Sequence, residues 1–253
     1  MDLLQAFTLG LVQGVTEFLP ISSSGFLILI PELFGWEIQD VAFDAVIHLA
    51  TLTAVVVALW PEVKLLGEKK HGRSLSTWLV LATIPVLIIG GMFELIDFDP
   101  RSAEVVAWSF IVWGVVLYLV DRRAVKTKDQ VKDVGLKRAL GVGLAQAIAL
   151  IPGTSRSGIT ITAGLHMGLS RETATKFSFL LGIPTIAIVG LVKLKDVVTG
   201  SVAIEVLPLL VGFVTAGITA FLTIKTLLAF LKTHSYAELA VLRVVLGVLI
   251  LVL

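Results

Sequence analysis

The sequence predicts an all-α membrane protein, an inverted-topology repeat with six transmembrane helices and two re-entrant helix–loop–helix hairpins. Three observations predict it. Hydrophobic residues fill 57% of the 253 positions and charged residues only 15%, with a mean hydropathy of +0.98, the balance of a polytopic membrane chain. Two polar, serine-rich breaks interrupt this apolar background, Gln13–Gly25 and Gln146–Gly158. They are in register: Gly10 and Gly143, Gln13 and Gln146, Ser22 and Ser155, Ser24 and Ser157, and Gly25 and Gly158 are all separated by 133 positions. A shared offset of this kind marks an internal duplication. Third, charge alternates between successive loops in the pattern that orients membrane helices.

From the N-terminus, Leu3–Leu19 and Ser23–Phe34 are each too short to cross about 30 Å of hydrocarbon at about 1.5 Å per residue. They pair as one re-entrant hairpin around Pro20 and the serines. The stretch lacks a basic n-region and a small-residue cleavage site, so it enters the mature fold rather than serving as a signal peptide. Val41–Trp60, Leu75–Leu95 and Ala103–Val120 follow as full spans. Leu136–Ile151 and Ser157–Gly168 form the second hairpin, and Glu172–Leu191, Val206–Leu231 and Tyr236–Val252 complete the set.

Loop charges orient these elements. Lys64, Lys69, Lys70 and Arg73 between the first two spans, and the basic cluster between Asp121 and Arg138, place those loops in the cytoplasm. The Glu94–Glu104 loop, acidic apart from Arg101, and Glu37, Asp40 and Asp44 face outward. Threading the chain through these constraints makes the first hairpin dip in from outside and the second from the cytoplasm, with both termini outside. The result is one membrane domain of two inverted repeats, about 1–125 and 136–253. Backbone breaks at membrane depth survive only where they line a cavity or are buried in protein, and broken helices in matching positions of two halves mark a membrane site. The net charge of +1 gives no field for a nucleic-acid partner, and the lack of cysteine excludes disulfides, thiolate metal sites and a cysteine nucleophile.

The two hairpin tips carry the chemistry. In each, the second half-helix starts at the serine loop, so unpaired N–H groups and the positive end of a helix dipole meet at one place. Ser22, Ser23 and Ser24, with Ser155 and Ser157, add hydroxyls, and Gly25, Gly153 and Gly158 allow close backbone approach. Taken singly, any of these serines is better explained as a helix cap or a small packing residue; the repetition favours a site. Arg156 adds a planar cation suited to phosphate oxygens, and an intramembrane arginine is expensive enough to imply function. Its bland alternative is an ion pair holding the halves together. Glu17 is the only carboxylate in the first hairpin's apolar run and the natural partner of Arg156. It lies four residues from Gln13, on the same helical face. Such a carboxylate can take a proton or hold a divalent cation, or serve a structural pair. Thr160, one turn into the last half-helix, adds a hydroxyl to the site or caps. Among the histidines, His48 lies on an apolar helical face and is the candidate for a proton relay if that face meets the site; His71 and His234 read as solvated, and His166 as near the surface.

With these motifs in hand, the chain resembles the undecaprenyl-diphosphate phosphatase family of the bacitracin-resistance type over nearly its whole length. The anchors are the (Glu/Gln)-x-x-x-Glu motif at Gln13–Glu17 followed by Phe18-Leu19-Pro20-Ile21-Ser22-Ser23-Ser24-Gly25, and Pro-Gly-x-Ser-Arg-Ser-Gly at Pro152–Gly158. The resemblance implies an integral enzyme of the cell membrane, a homodimer. Such an enzyme removes the terminal phosphate of a polyprenyl diphosphate and so recycles the lipid carrier of cell-envelope glycans. It implies catalytic positions at Glu17, Ser23 and Arg156, with Gln13, Ser155 and Thr160 close by. One position departs from the family: a histidine commonly follows the glycine of the first serine motif, and here Phe26 stands there. Ser23 attacking with help from Glu17, attack by water, substitution by His48, or a weakened activity remain the alternatives. A Mg²⁺ or Ca²⁺ ion bridging Glu17 and the diphosphate is compatible with the pattern, although Gln13 stands where many members have a second carboxylate. The rival from another class is a lipid-phosphate transporter or flippase, since inverted repeats around a midplane anion site are also a transporter's design.

Overall fold

The computed structural model describes residues 1–68, 72–96, 102–125, 129–198 and 205–252, and these are all-helical apart from turns. Helix α1 (Leu3–Thr16) is capped by Asp2, whose carboxylate accepts from the Gln5 amide at 2.7 Å. It stops one turn before Pro20. Helix α2 (Ser23–Phe34) closes on Gly35 in the left-handed region. Helix α3 (Val41–Ala58), capped by Asp40, ends at Leu59, and a short α4 (Trp60–Leu65) follows with Pro61 in its first turn. The sequence reading extends the first span to Trp60 and leaves the following residues as loop; the proline's fixed φ nucleates a new turn there instead. The chain continues through α5 (Gly72–Leu95), α6 (Ala103–Asp121), α7 (Leu136–Gln146) with a 3₁₀ turn at Ala147–Leu150, α8 (Arg156–His166), α9 (Arg171–Val198), α10 (Val206–Phe230) and α11 (Ala237–Val252).

Among the described residues, four segments are long and apolar enough to cross a membrane: Ser74–Leu95, Ala103–Asp121, Arg171–Val192 and Val206–Phe230. Leu3–Thr16, Ser23–Phe34 and Ala42–Ala58 are apolar but shorter. This is an all-α membrane protein. Several charges used above to orient it, Lys69, Lys70, Arg101, Lys126 and Lys128, lie outside the described residues, as does His71.

Small residues set the packing. Helix α1 lies on α10, where a Cβ on Gly10 would come within 2.6 Å of the Gly212 carbonyl. Helix α7 lies on α5 in the same manner, with Gly143, the counterpart of Gly10, pressed against the backbone of Ala82. Helix α6 crosses α11 at Gly114 and Gly247. Close backbone approach of this kind is how helices associate without a hydrophobic driving force between them. Gly114 and Gly212 therefore serve contacts inside the chain. At one end of the bundle Asp121, 1% exposed, accepts from Arg171 Nε at 2.6 Å and from Arg171 Nη2 at 3.1 Å, and also from the Tyr236 amide at 3.2 Å. That knot ties the end of α6 to the starts of α9 and α11. Lys225 of α10 donates to the Ala58 carbonyl at 2.9 Å, closing the C-terminus of α3 with a cation.

These contacts predict which glycines tolerate a methyl group. Gly143→Ala forces α5 and α7 apart and destabilises by about 1–3 kcal/mol, the usual cost of overpacking. Gly91→Ala meets nothing within 4 Å and leaves thermal unfolding in detergent unchanged or slightly delayed.

Candidate functional site

The two helix breaks are built alike. Ser22 and Ser155 are the only non-glycine residues with positive φ among the described residues, at 76° and 69°. Each is the residue before its half-helix, and each hydroxyl lies 3.2 Å from that of the serine two positions on, Ser24 or Ser157. A left-handed serine is strained by roughly 1–3 kcal/mol and persists only where its surroundings over-determine it. Here the reward is geometric: the turn starts α2 at Ser23 and α8 at Arg156 and aims both N-termini into one cleft.

That cleft has a volume of about 340 Å³ and is lined on its polar side by Glu17, Ser22, Ser23, Ser24, Ser155 and Arg156, with His48 and Asp44 from α3. Its apolar wall comes from Ala45, Val86, Leu150, Ile186 and Val189. Glu17, 6% exposed, is the hub. Its Oε2 accepts from Ser23 Oγ at 2.7 Å and from Gln13 Nε2 at 3.1 Å, and its Oε1 accepts from Arg156 Nη2 at 2.8 Å. Ser23 and Arg156 are themselves repeat counterparts, 133 positions apart. The first helical residue of each half thus grips the same carboxylate, one through a hydroxyl and the other through a guanidinium.

The cross-break tie is reinforced by backbone. Ser157 Oγ donates to the Glu17 carbonyl at 2.9 Å and to that of Leu19 at 3.2 Å. Arg156 Nη1 donates to the Ser178 carbonyl at 3.1 Å. The arginine can extend this way because Gly182 leaves room: a Cβ there would come within 2.8 Å of Arg156 Cζ. Pairing on both sides is what a buried charge requires.

His48 faces this cluster. Its Nδ1 lies 2.6 Å from the Asp44 carbonyl, an oxygen that can only accept, so Nδ1 carries a proton. In the neutral ring that leaves Nε2 as the basic atom, 3.6 Å from Glu17 Oε2. The helix face that looked merely apolar in sequence meets the site. Phe26 does not. Its ring packs at 5.9 Å from that of Phe110 and lines a separate apolar groove with Leu29 and Leu246.

Other expected site residues sit behind the cleft. Thr160, 1% exposed, bonds the Arg156 carbonyl at 2.8 Å and Ser178 Oγ at 2.6 Å. It steadies the first turn of α8. Gly25 abuts Val106 and Phe110, Gly153 abuts Val106 and Ser109, and the Gly158 amide donates to Ser155 Oγ at 3.1 Å. Gln13 is fully buried, and among the described residues its Oε1 has no hydrogen-bond partner. Gly182 and Ser178 escaped the sequence reading, because nothing in a long apolar helix distinguishes them. Arg243 of α11 also escaped it, although a lone arginine in an apolar span is itself a signal.

A profile of the family described as bacitracin resistance protein BacA matches residues 6–249 of this chain. An undecaprenyl-diphosphatase of Teredinibacter turnerae is 42% identical over 264 aligned positions, covering 100% of this chain and 99% of that protein. The undecaprenyl-diphosphatase 2 of Stutzerimonas stutzeri is 42% identical, covering 100% and 98%. The undecaprenyl-diphosphatase of Marinobacter nauticus is 44% identical, covering 91% and 89%. With its paired breaks, its Glu17–Arg156 junction and a match from end to end, this chain belongs to the bacitracin resistance protein BacA family.

Proposed function

We propose that the protein hydrolyses undecaprenyl diphosphate to undecaprenyl phosphate and inorganic phosphate, returning the lipid carrier to cell-envelope glycan synthesis. The observation that carries this reading is the junction of Glu17, Ser23 and Arg156 at two convergent helix N-termini, in a chain similar throughout to proteins named undecaprenyl-diphosphatase. Phosphoryl transfer needs little covalent help; it needs charge held in place around the transferring group. The two dipoles and Arg156 supply that charge, and the apolar wall of the cleft offers the prenyl chain a path to the lipid.

In this mechanism Ser23 Oγ either attacks the terminal phosphorus, giving a phosphoserine that water then hydrolyses to free serine and inorganic phosphate, or positions the water that attacks the phosphorus directly. The serine proton passes to Glu17, to which Ser23 is already hydrogen-bonded, and undecaprenyl phosphate leaves from the terminal phosphorus. His48 Nε2, next to the same carboxylate oxygen, relays the proton onward. A divalent cation, Mg²⁺ or Ca²⁺, fits as a companion of the substrate. Glu17 and Asp44 are the carboxylates that line the cleft. Gln13 Oε1, without a partner among the described residues, lies beside Glu17, and the described residues contain no group of three or more acidic or histidine side chains that would hold an ion alone. Diphosphate oxygens and water would complete its shell, as is usual for Mg²⁺, and the ion would neutralise charge on the leaving group.

The architecture we propose is one domain of two inverted repeats, about 1–125 and 136–253, with six spans and two re-entrant hairpins. The pairing pattern supports it: α1 packs on α10 as α7 packs on α5, while α3 meets α9 and α6 meets α11, each a helix with its own counterpart. An orientation with both termini outside opens the cleft, bounded by the start of α3 and the later half of α9, to the external leaflet of the plasma membrane. Family resemblance supports a homodimer.

Detergent-solubilised protein is expected to release phosphate from undecaprenyl diphosphate without a sealed bilayer. Glu17→Ala and Arg156→Ala each lower kcat by about 10²–10³-fold; a folded wild type that releases none, with or without Mg²⁺ or Ca²⁺, would overturn the enzyme reading. His48→Gln lowers kcat by about 10²-fold. Phe26→Leu leaves kcat unchanged, because the Phe26 ring packs away from the cleft on Phe110. Chelation lowers the rate, and Gln13→Ala raises the cation concentration needed to restore it.

A further inference from the structure

Arg243 is the largest fully buried side chain among the described residues, at 0% exposure near the middle of α11. Among those residues no carboxylate pairs with it. Its guanidinium is instead surrounded by carbonyl oxygens: Nη1 donates to Pro20 at 3.0 Å, and Nη2 donates to Gly153 and Thr154 at 2.5 Å each and to Ser109 at 3.4 Å. Pro20 belongs to the loop between α1 and α2, and Gly153 and Thr154 to the loop before α8. One side chain therefore holds both breaks from behind.

Its place in the duplication explains how. The repeat counterpart of Arg243, 133 positions earlier, is Phe110. The two meet, with the guanidinium carbon 5.5 Å from the centre of the Phe110 ring, where α6 crosses α11. A helix that packs on its own counterpart does so at the pseudo-twofold axis. A residue on that axis is equally near both loops, so a single arginine serves both and the second copy is free to be phenylalanine.

We infer that Arg243 is a positioning residue of the phosphoryl-transfer site, fixing both loops through their carbonyls and adding an uncompensated positive charge behind the anion. This inference rests on the reading of the cleft as a diphosphate site. An unpaired charge in an apolar interior is costly, and carbonyl dipoles offset only part of that cost. A bound anion in front of the loops would offset more. By holding carbonyl oxygens behind the loops, Arg243 also keeps them from facing the diphosphate. The same grip restrains the turns in which Ser22 and Ser155 take positive φ.

The test compares Arg243→Lys and Arg243→Met with the wild type in detergent, by phosphate release and by amide hydrogen exchange. Lysine keeps the charge but cannot bridge the two loops with a planar fork. The Lys variant is expected to fold with a nearly unchanged melting temperature and to lose about 10²-fold in kcat, the scale of one electrostatic contact, with little change in KM. Amides of residues 17–25 and 151–158 exchange faster, while those of α6 and α11 do not. Arg243→Met loses more of the rate. Wild-type kcat and loop exchange in a folded Lys variant would overturn the inference. A Lys variant that fails to fold would also count against it, since that outcome marks Arg243 as scaffold. If the wild type releases no phosphate, the exchange of the two loops still decides whether Arg243 sets them, separating failure of this inference from failure of the phosphatase reading.

Discussion

The ion pair between Glu17 and Arg156 is the constraint on which the rest of the molecule depends. Each charge alone would be costly in an apolar bundle, and neither break could close on itself, because the carboxylate lies before the first and the guanidinium after the second. Their pairing at 2.8 Å joins the two loops tip to tip. Once they are joined, the helix starts at Ser23 and Arg156 converge on one cleft, where the first N–H groups of a helix lack intrahelical partners. The proposed anion site follows from the packing of two broken helices.

The supporting contacts have the same logic. Small residues let α1 settle closely on α10 and α7 on α5, so each helix that precedes a break is braced by a long apolar helix. Ser157 extends the join by bonding backbone carbonyls on the far side of the junction. The Asp121–Arg171 knot joins the end of α6 to the start of α9, apart from the residues that line the cleft. In the proposed duplication, two equivalent loops diverged at single positions that separate their chemistry. Ser23 and Arg156 occupy one repeat position and do different work on one carboxylate. Phe110 and Arg243 likewise share a position and meet as ring and cation.

Much of this was legible in the sequence, for physical reasons. The halves around Pro20 and Pro152 are too short to span a bilayer, and their matching serines at a fixed offset marked the two loops. Glu17 and Arg156 stood out because isolated charges in apolar runs demand a partner. Less was legible where the decisive quantity was rotation about a helix or a vacancy beside a side chain. His48 reaches the cleft because of how α3 is turned, which its apolar neighbours in sequence concealed. Thr160, readable from sequence as a site hydroxyl or a cap, bonds the backbone of its own first turn and Ser178 Oγ, a choice that the sequence left open. Gly182 matters only for the space it leaves to Arg156. The helix α4 was hidden in what read as a charged loop.

The claim that the two breaks form a single site is tested most directly by a kinetic double-mutant cycle on phosphate release, using Glu17→Gln, Arg156→Lys and the double variant. Groups that act as one unit give strongly non-additive losses. The account predicts an active wild type and a double variant little worse than the more impaired single one. Losses that multiply across the two positions would contradict it, because they would place Glu17 and Arg156 in independent roles.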